Sequence, residues 1–152
     1  MEAYEVQEEF LKIANRFGKM KYEAMFRCIS RREYEMLSVI GRFMETNTGK
    51  KGIYVSALAN LLKVSSPAVS RMVGALEEKG YIGRDVDKED RRNTYVYLTK
   101  PGKETKEAVE RSMRELMKVV IARMGEQNMQ ELIRLWNQLA DIMEEEMKKR
   151  ND

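Results

Sequence analysis

The sequence predicts a mainly helical α+β fold, a helix-turn-helix with a small β-wing, flanked by N- and C-terminal helices that join two copies. Three observations carry that prediction. Apolar residues recur at helical spacing over most of the chain. The stretch SSPAVSRMVGALEEKG starts with capping residues and ends at a glycine. Two short strands then enclose the charged turn DKEDRR.

The elements follow in order. Val6, Phe10, Ile13, Phe17 and Met20 step by threes and fours, which places an apolar stripe on one long first helix reaching toward Cys28. Ser30 and Glu33 form the S-x-x-E capping box of a second helix, with Tyr34, Leu37, Gly41 and Met44 along one face. Asn47, Gly49 and Gly52 end it. Ile53 to Val55 is β-like, and Leu58, Ala59 and Leu62 mark a brief helix with Ser56 as its N-cap. Ser65 or Ser66 caps the next helix, and Pro67 sits in its first turn, where a missing N–H costs nothing. Val69, Met72, Val73 and Leu76 turn to the core. Gly80 suits a left-handed helix end, with Tyr81 packing back on Leu76. Ile82 to Val86 and Thr94 to Leu98 are the wing strands. Thr99 caps a long helix reaching Met124, and Pro101 lies in its first turn. Gly125 to Asn128 interrupts, and a last helix carries Leu132, Leu135, Trp136, Leu139, Ile142 and Met143 before a frayed KKRND end.

In these terms residues 1–152 form a single domain. Its winged-helix lobe spans 30–100, with the helix-turn-helix at 55–79 and the wing at 81–98; 1–29 and 100–150 are dimerisation helices. The long helices have apolar stripes that need a partner surface. Packing within one chain satisfies them, but pairing across a two-fold axis also supplies two reading heads, and the homodimer is the expectation.

Composition narrows the function classes. The chain has no histidine, which removes His-dependent triads and nearly all zinc sites; no metal and no cofactor are expected. A single cysteine makes no internal disulfide and fits a reducing cytoplasm. No apolar run approaches the roughly 18 residues of a membrane helix, and no signal peptide is visible, so no membrane is expected. A net charge of +3 says little by itself; where the charges lie says more. No paired carboxylates or Gly-rich phosphate loop point to an enzyme.

The helix from Pro67 to Lys79 leaves Ser66, Pro67, Ser70, Arg71 and Gly74 opposite its core face. Small residues let such a helix enter a major groove about 12 Å wide. Ser65, Ser66 and Ser70 can bond phosphates or base edges, and Arg71 can grip guanine or a phosphate. In the turn, Lys88, Arg91 and Arg92 stand among Asp87, Glu89 and Asp90. A carboxylate two residues from an arginine can hold the guanidinium outward, toward a narrow minor groove where negative potential is enhanced. Solvated serines and a mixed-charge turn are the plainer alternatives. The order helix, glycine, strand, charged turn and strand favours double-stranded DNA as the partner.

These residues resemble the MarR family, the multiple-antibiotic-resistance-type winged-helix repressors. The matching segments are VSALANLL at 55–62, VSSPAVSRMVGALEEKGYIGR at 64–84, and DKEDRRNTYVYLT at 87–99. The D-x-R wing signature is met by Asp90 and Arg92, and L-T-x-x-G by Leu98, Thr99 and Gly102. The resemblance extends over essentially the whole chain. It implies an obligate homodimer on a pseudo-palindromic operator. Arg92 would be the minor-groove arginine oriented by Asp90, with Ser66, Pro67, Ser70 and Arg71 in the major groove and Arg91 and Lys88 on phosphates. It also implies release by a small effector, often an aromatic acid. Some members are oxidised at a cysteine instead, and some activate transcription.

Cys28 departs from the peroxide-sensing members, whose reactive cysteine lies near the start of the first helix. Arg27, Arg31 and Arg32 can lower a thiol pKa or line an anion pocket, but a buried, inert Cys28 is the simpler expectation. A redox-sensing regulator acting through Cys28 and a winged-helix protein-interaction module without DNA binding are the rivals. Met113, Met117, Met124, Met129, Met143 and Met147 lie on predicted helices and read as core or dimer seam.

Overall fold

A computed structural model describes residues 2–21, 23–26, 29–87 and 93–151. Among the described residues, seven helices and three strands follow one another: α1 (Ala3–Gly18), α2 (Glu23–Phe26), α3 (Arg31–Thr46), β1 (Ile53–Tyr54), α4 (Val55–Leu62), α5 (Ser66–Glu78), β2 (Ile82–Val86), β3 (Thr94–Leu98), α6 (Lys100–Met124) and α7 (Glu126–Asn151). The chain forms two compact units that meet in sequence within α6, between Val109 and Glu110.

The first unit holds the core. Met36, Leu37 and Ile40 of α3, Leu58 of α4 and Val69, Val73 and Leu76 of α5 are fully buried with Ile53 and Val96 of the sheet. Burial is worth about 1.5–3 kcal/mol for each such side chain, so this cluster sets the angle at which α5 leaves the lobe. Ser30 accepts from the Glu33 N–H at 3.2 Å while the Ser30 N–H donates to the Glu33 carboxylate at 2.7 Å, the capping box expected for α3.

The sheet is antiparallel in the order β1-β3-β2, with Ile53 opposite Val96, Tyr54 opposite Tyr95, and Ile82 opposite Leu98. Both wing strands have the predicted limits. The short β-like run before α4 also joins the sheet, a pairing between residues about forty positions apart that local pattern does not show.

The start of α6 is fixed by the L-T-x-x-G motif. The Thr99 hydroxyl accepts from the Gly102 N–H at 3.2 Å and donates to the Gly80 carbonyl at 2.6 Å. The Thr99 N–H donates to the Tyr81 carbonyl at 3.1 Å. A Cβ on Gly102 would collide with that carbonyl oxygen, so only glycine lets the helix lie so close to the chain entering β2.

Four local expectations are corrected. The first helix ends at Gly18 instead of running to the vicinity of Cys28; α2 is a separate turn, and Met20 lies past the end of α1. Glycine is a poor helix former, and the Lys19 N–H closes the last turn on the Asn15 carbonyl at 3.1 Å. Ser56 lies inside α4, whose N-cap is Tyr54, because Val55 already turns helical. The break after α6 is Gly125 alone, at φ +83°, and Asn128 is helical. The basic end of α7 remains helical through Asn151, where Lys148, Lys149 and Arg150 complement the helix dipole.

Candidate nucleic-acid interface

The faces of α5 divide as predicted. Val69, Val73 and Leu76 are fully buried and Met72 is half-buried. Ser65, Ser66, Pro67, Ser70 and Arg71 are all exposed at the N-terminal half of the helix. Ser65 occupies the N-cap, but its side chain makes no capping bond; its carbonyl accepts the Val69 N–H at 3.0 Å. Three serines, one arginine and the positive end of a thirteen-residue helix therefore share one small surface.

Both ends of α5 are held. Between α4 and α5, Lys63 adopts the left-handed conformation at φ 52°, which costs a non-glycine residue about 1–2 kcal/mol. The Val64 N–H closes on the Ala59 carbonyl at 3.2 Å. At the other end Gly80, at φ +72°, donates to the Glu77 carbonyl, and Tyr81 donates to the Leu76 carbonyl, both at 2.9 Å. These are the two bonds of a Schellman ending, as the glycine predicts. Lys79 donates to Glu33 at 2.7 Å, joining the end of α5 to the start of α3. Burial pushes the Glu33 carboxyl up, but Lys79 and Ser30 outweigh it and hold the group below the usual carboxylate value.

The wing is braced against the same helix. Arg84 of β2 pairs with Glu77 of α5 at 3.1 Å. The Asp87 N–H donates to the Asn93 carbonyl at 2.9 Å where the two strands approach the turn. Between α5 and the wing lies an open hollow of about 240 Å³, where Ser56, Ser70, Arg84, Asn93 and Thr94 supply polar groups over Val55 and Val73. Of these, the sequence alone marks only Ser70 as a groove residue. The place of Arg84 two residues from buried Ile82, on the same side of β2, is the signal that could have found it.

Lys88, Asp90, Arg91 and Arg92 lie outside the described residues, as do Arg27 and Cys28. Arg31 pairs with Glu35 at 3.4 Å, and Arg32 is exposed. A second hollow, of about 270 Å³, lies over Gly41, Met44 and Leu98. Lys103, Lys106, Glu45 and Glu107 line it, so it selects neither sign of charge. Among the described residues no group of three or more Cys, Asp or Glu side chains could hold a metal ion, and no helix is long and apolar enough to cross a membrane.

With this geometry in place, residues 29–94 match the family model described as MarR family. The winged-helix segment is therefore similar to the MarR family. The fold agrees over nearly the whole chain. The YusO protein from Bacillus subtilis superposes with a TM-score of 0.72 at 21% identity, covering 93% of this chain and 99% of that one. A mutant form of S. aureus MepR gives 0.70 at 21% identity, with the same coverage of 93% and 99%. MepR in its DNA complex gives 0.61 at 23% identity, covering 89% of this chain and 96% of that one. At these identities the likeness is one of fold. A protein of Thauera aromatica, named as a candidate transcriptional regulatory protein for the hcr operon, is 34% identical over 80 residues. That match covers 53% of this chain and 44% of the Thauera protein, so the chain spans less than half of that relative's length. The matched segment thus includes α3 to the start of β3, with Ser65, Ser66, Pro67, Ser70 and Arg71 and the residues that join β2 to β3.

Proposed function

We propose that this chain is a homodimeric, sequence-specific DNA-binding transcriptional regulator that represses by occupying a pseudo-palindromic operator and is released by a small aromatic or anionic effector. The observation that carries the DNA reading is the division of α5. A fully buried face fixes the helix while Ser65, Ser66, Pro67, Ser70 and Arg71 stand exposed beside the braced wing. The match of this segment to the MarR family model and the likeness in fold to MepR, which has been seen on DNA, support it. The Thauera relative supports a role in transcription.

In this reading α5 enters the major groove, Arg71 takes a base edge or phosphate, and Arg92, steadied by Asp90, enters the minor groove. Lys88 and Arg91 neutralise phosphates. Arg84, Ser56 and Asn93 line the hollow that a phosphate strand would cross between helix and wing.

The homodimer rests on uncovered apolar side chains. Val6, Phe10, Ile13, Phe17 and Met20 are 41–54% exposed in the single chain, and Ile133, Leu135, Trp136, Ile142 and Met143 are 47–57% exposed. Apolar stripes of this extent are characteristic of an interface. A two-fold pair would set two α5 helices for half-sites one helical turn apart, about 34–36 Å, or a multiple of it. An effector then acts by differential affinity, favouring a dimer whose reading helices are wrongly spaced.

Selection of bound fragments from a genomic DNA pool tests the proposal. The expected result is an enriched motif with two-fold symmetry, bound with an affinity that falls steeply with salt. A folded protein that enriches no DNA, or binds with a flat salt profile, refutes the DNA reading and favours the protein-interaction module.

A further inference from the structure

The outer face of the sheet carries phenols and carboxylates that the α5 surface does not use. Tyr54 stands opposite Tyr95, and Tyr95 opposite Asp85, so the three form one row across β1, β3 and β2. The Tyr95 phenol donates to Asp85 at 3.1 Å. The Tyr54 phenol reaches past β3 and donates to Asp87 at 2.5 Å, joining residues 33 positions apart. The Tyr97 ring lies directly over Gly83, where any Cβ would collide with it.

The two ends of the Tyr54–Asp87 bond belong to different parts of the reading head. Tyr54 is the N-cap of α4, the first helix of the helix-turn-helix. Asp87 closes the wing strands through its N–H to Asn93. No backbone ladder joins these ends directly, because β3 separates β1 from β2. The β1–β3 pairing is only two residues long. Such a ladder restrains the tilt of a hairpin weakly, since strands twist against one another by tens of degrees. A phenol bonded to a carboxylate is a charge-assisted hydrogen bond, the short and strong kind, and this one bridges the gap.

We propose that Tyr54 is a positioning residue for the wing, holding through Asp87 the angle between the wing hairpin and the helix-turn-helix so that both engage one duplex. The proposal rests on the DNA-binding reading above. Tyr54 touches no DNA in it; the residue acts through Asp87.

The test measures binding to a fluorescently labelled duplex recovered in the genomic selection. Tyr54→Phe keeps the ring and removes only the hydroxyl. Its expected effect is about three- to tenfold weaker binding, the range for an ordinary net hydrogen bond, with a thermal midpoint close to wild type. Asp87→Ala should match it, while Asp87→Asn, which keeps an acceptor oxygen, should restore most of the affinity. In the background of Arg92→Ala, Tyr54→Phe should cost little more, because the wing contact it serves is already gone. Unchanged binding by Tyr54→Phe, or effects of Tyr54→Phe and Arg92→Ala that add in full, overturns the proposal. Failure of the wild-type protein to bind the duplex strikes the DNA reading itself; wild-type binding with an indifferent Tyr54→Phe strikes only the positioning role.

Discussion

Replacing Gly102 with alanine should reverse the usual sign of a glycine-to-alanine change in a helix. Gly102 lies in the first turn of α6, and helix propensity alone favours alanine by about 0.8–1 kcal/mol. Against it stands the Tyr81 backbone: a Cβ would collide with the carbonyl oxygen and come within 2.8 Å of the carbonyl carbon and 3.2 Å of Cα. Backbone cannot rotate away as a side chain can, so helix and strand must separate. Overpacking of this kind costs about 1–3 kcal/mol. Separation also stretches the Thr99 N–H bond to Tyr81, worth about 1 kcal/mol. The net expectation is destabilisation of about 1–3 kcal/mol, or roughly 2–4 °C of thermal midpoint for each kcal/mol in a chain of this size. Gly74→Ala is the matched control. Gly74 lies inside α5, and a Cβ added there meets nothing within 4 Å, so alanine should stabilise by up to about 1 kcal/mol. Urea denaturation followed by far-ultraviolet circular dichroism, at one protein concentration, compares the two. If Gly102→Ala stabilises as much as Gly74→Ala, the close approach of Gly102 to Tyr81 is not what holds α6 against β2.

Three further outcomes follow from other parts of the molecule. Arg71→Ala should weaken operator binding by about 1–3 kcal/mol and relax preference at one base pair if Arg71 reads a base. If it grips a phosphate, all sequences should weaken alike and the salt slope should drop by about one, which titrations at several salt concentrations resolve. Glu33 has a folded-state pKa below its ordinary 4.5, so its stabilisation is complete above that value and is lost as pH falls through the folded-state pKa. Glu33→Gln should therefore lower stability at neutral pH and flatten the loss on acidification below about pH 4.5, as read from denaturation midpoints across pH. Phe10→Asp puts a charge on the exposed stripe of α1 and should shift the protein toward monomer in sedimentation, with operator affinity falling at least tenfold because paired half-sites are no longer held together. An unchanged sedimentation coefficient would remove α1 from the interface.

The parts of the fold visible in sequence are those whose cause is local. Gly80 announces the end of α5 because a left-handed residue is needed there, and Val69, Val73 and Leu76 set the phase of that helix by spacing alone. The limits of β2 and β3 are those of the two short β-like runs, Ile82 to Val86 and Thr94 to Leu98. The end of α1 is not visible, because the apolar spacing continues through Met20 although the helix stops at Gly18. Nor are Arg84–Glu77, Lys79–Glu33 or Tyr54–Asp87, since each joins residues that only the tertiary fold brings together. Of the candidate interface, the α5 surface is legible and its bracing is not.

The apolar stripes show why a repeating pattern stops short of an assembly. Val69, Val73 and Leu76 obey the same helical spacing as Phe10, Ile13 and Phe17, yet the first set is fully buried and the second is 45–54% exposed. Periodicity states that a face needs cover; it does not say what covers it. For α5 the cover is α3, α4 and the sheet of its own lobe. For α1 much of it is still to be supplied. Covering several half-exposed side chains yields several kcal/mol, a sum comparable with the roughly 5–15 kcal/mol that separates a folded domain from its unfolded chain. In the proposed dimer, association and folding would be coupled terms in one balance. A ligand that altered how two chains meet would then act on the energy that holds each of them, and through the phase of α5 on the distance between the two α5 helices.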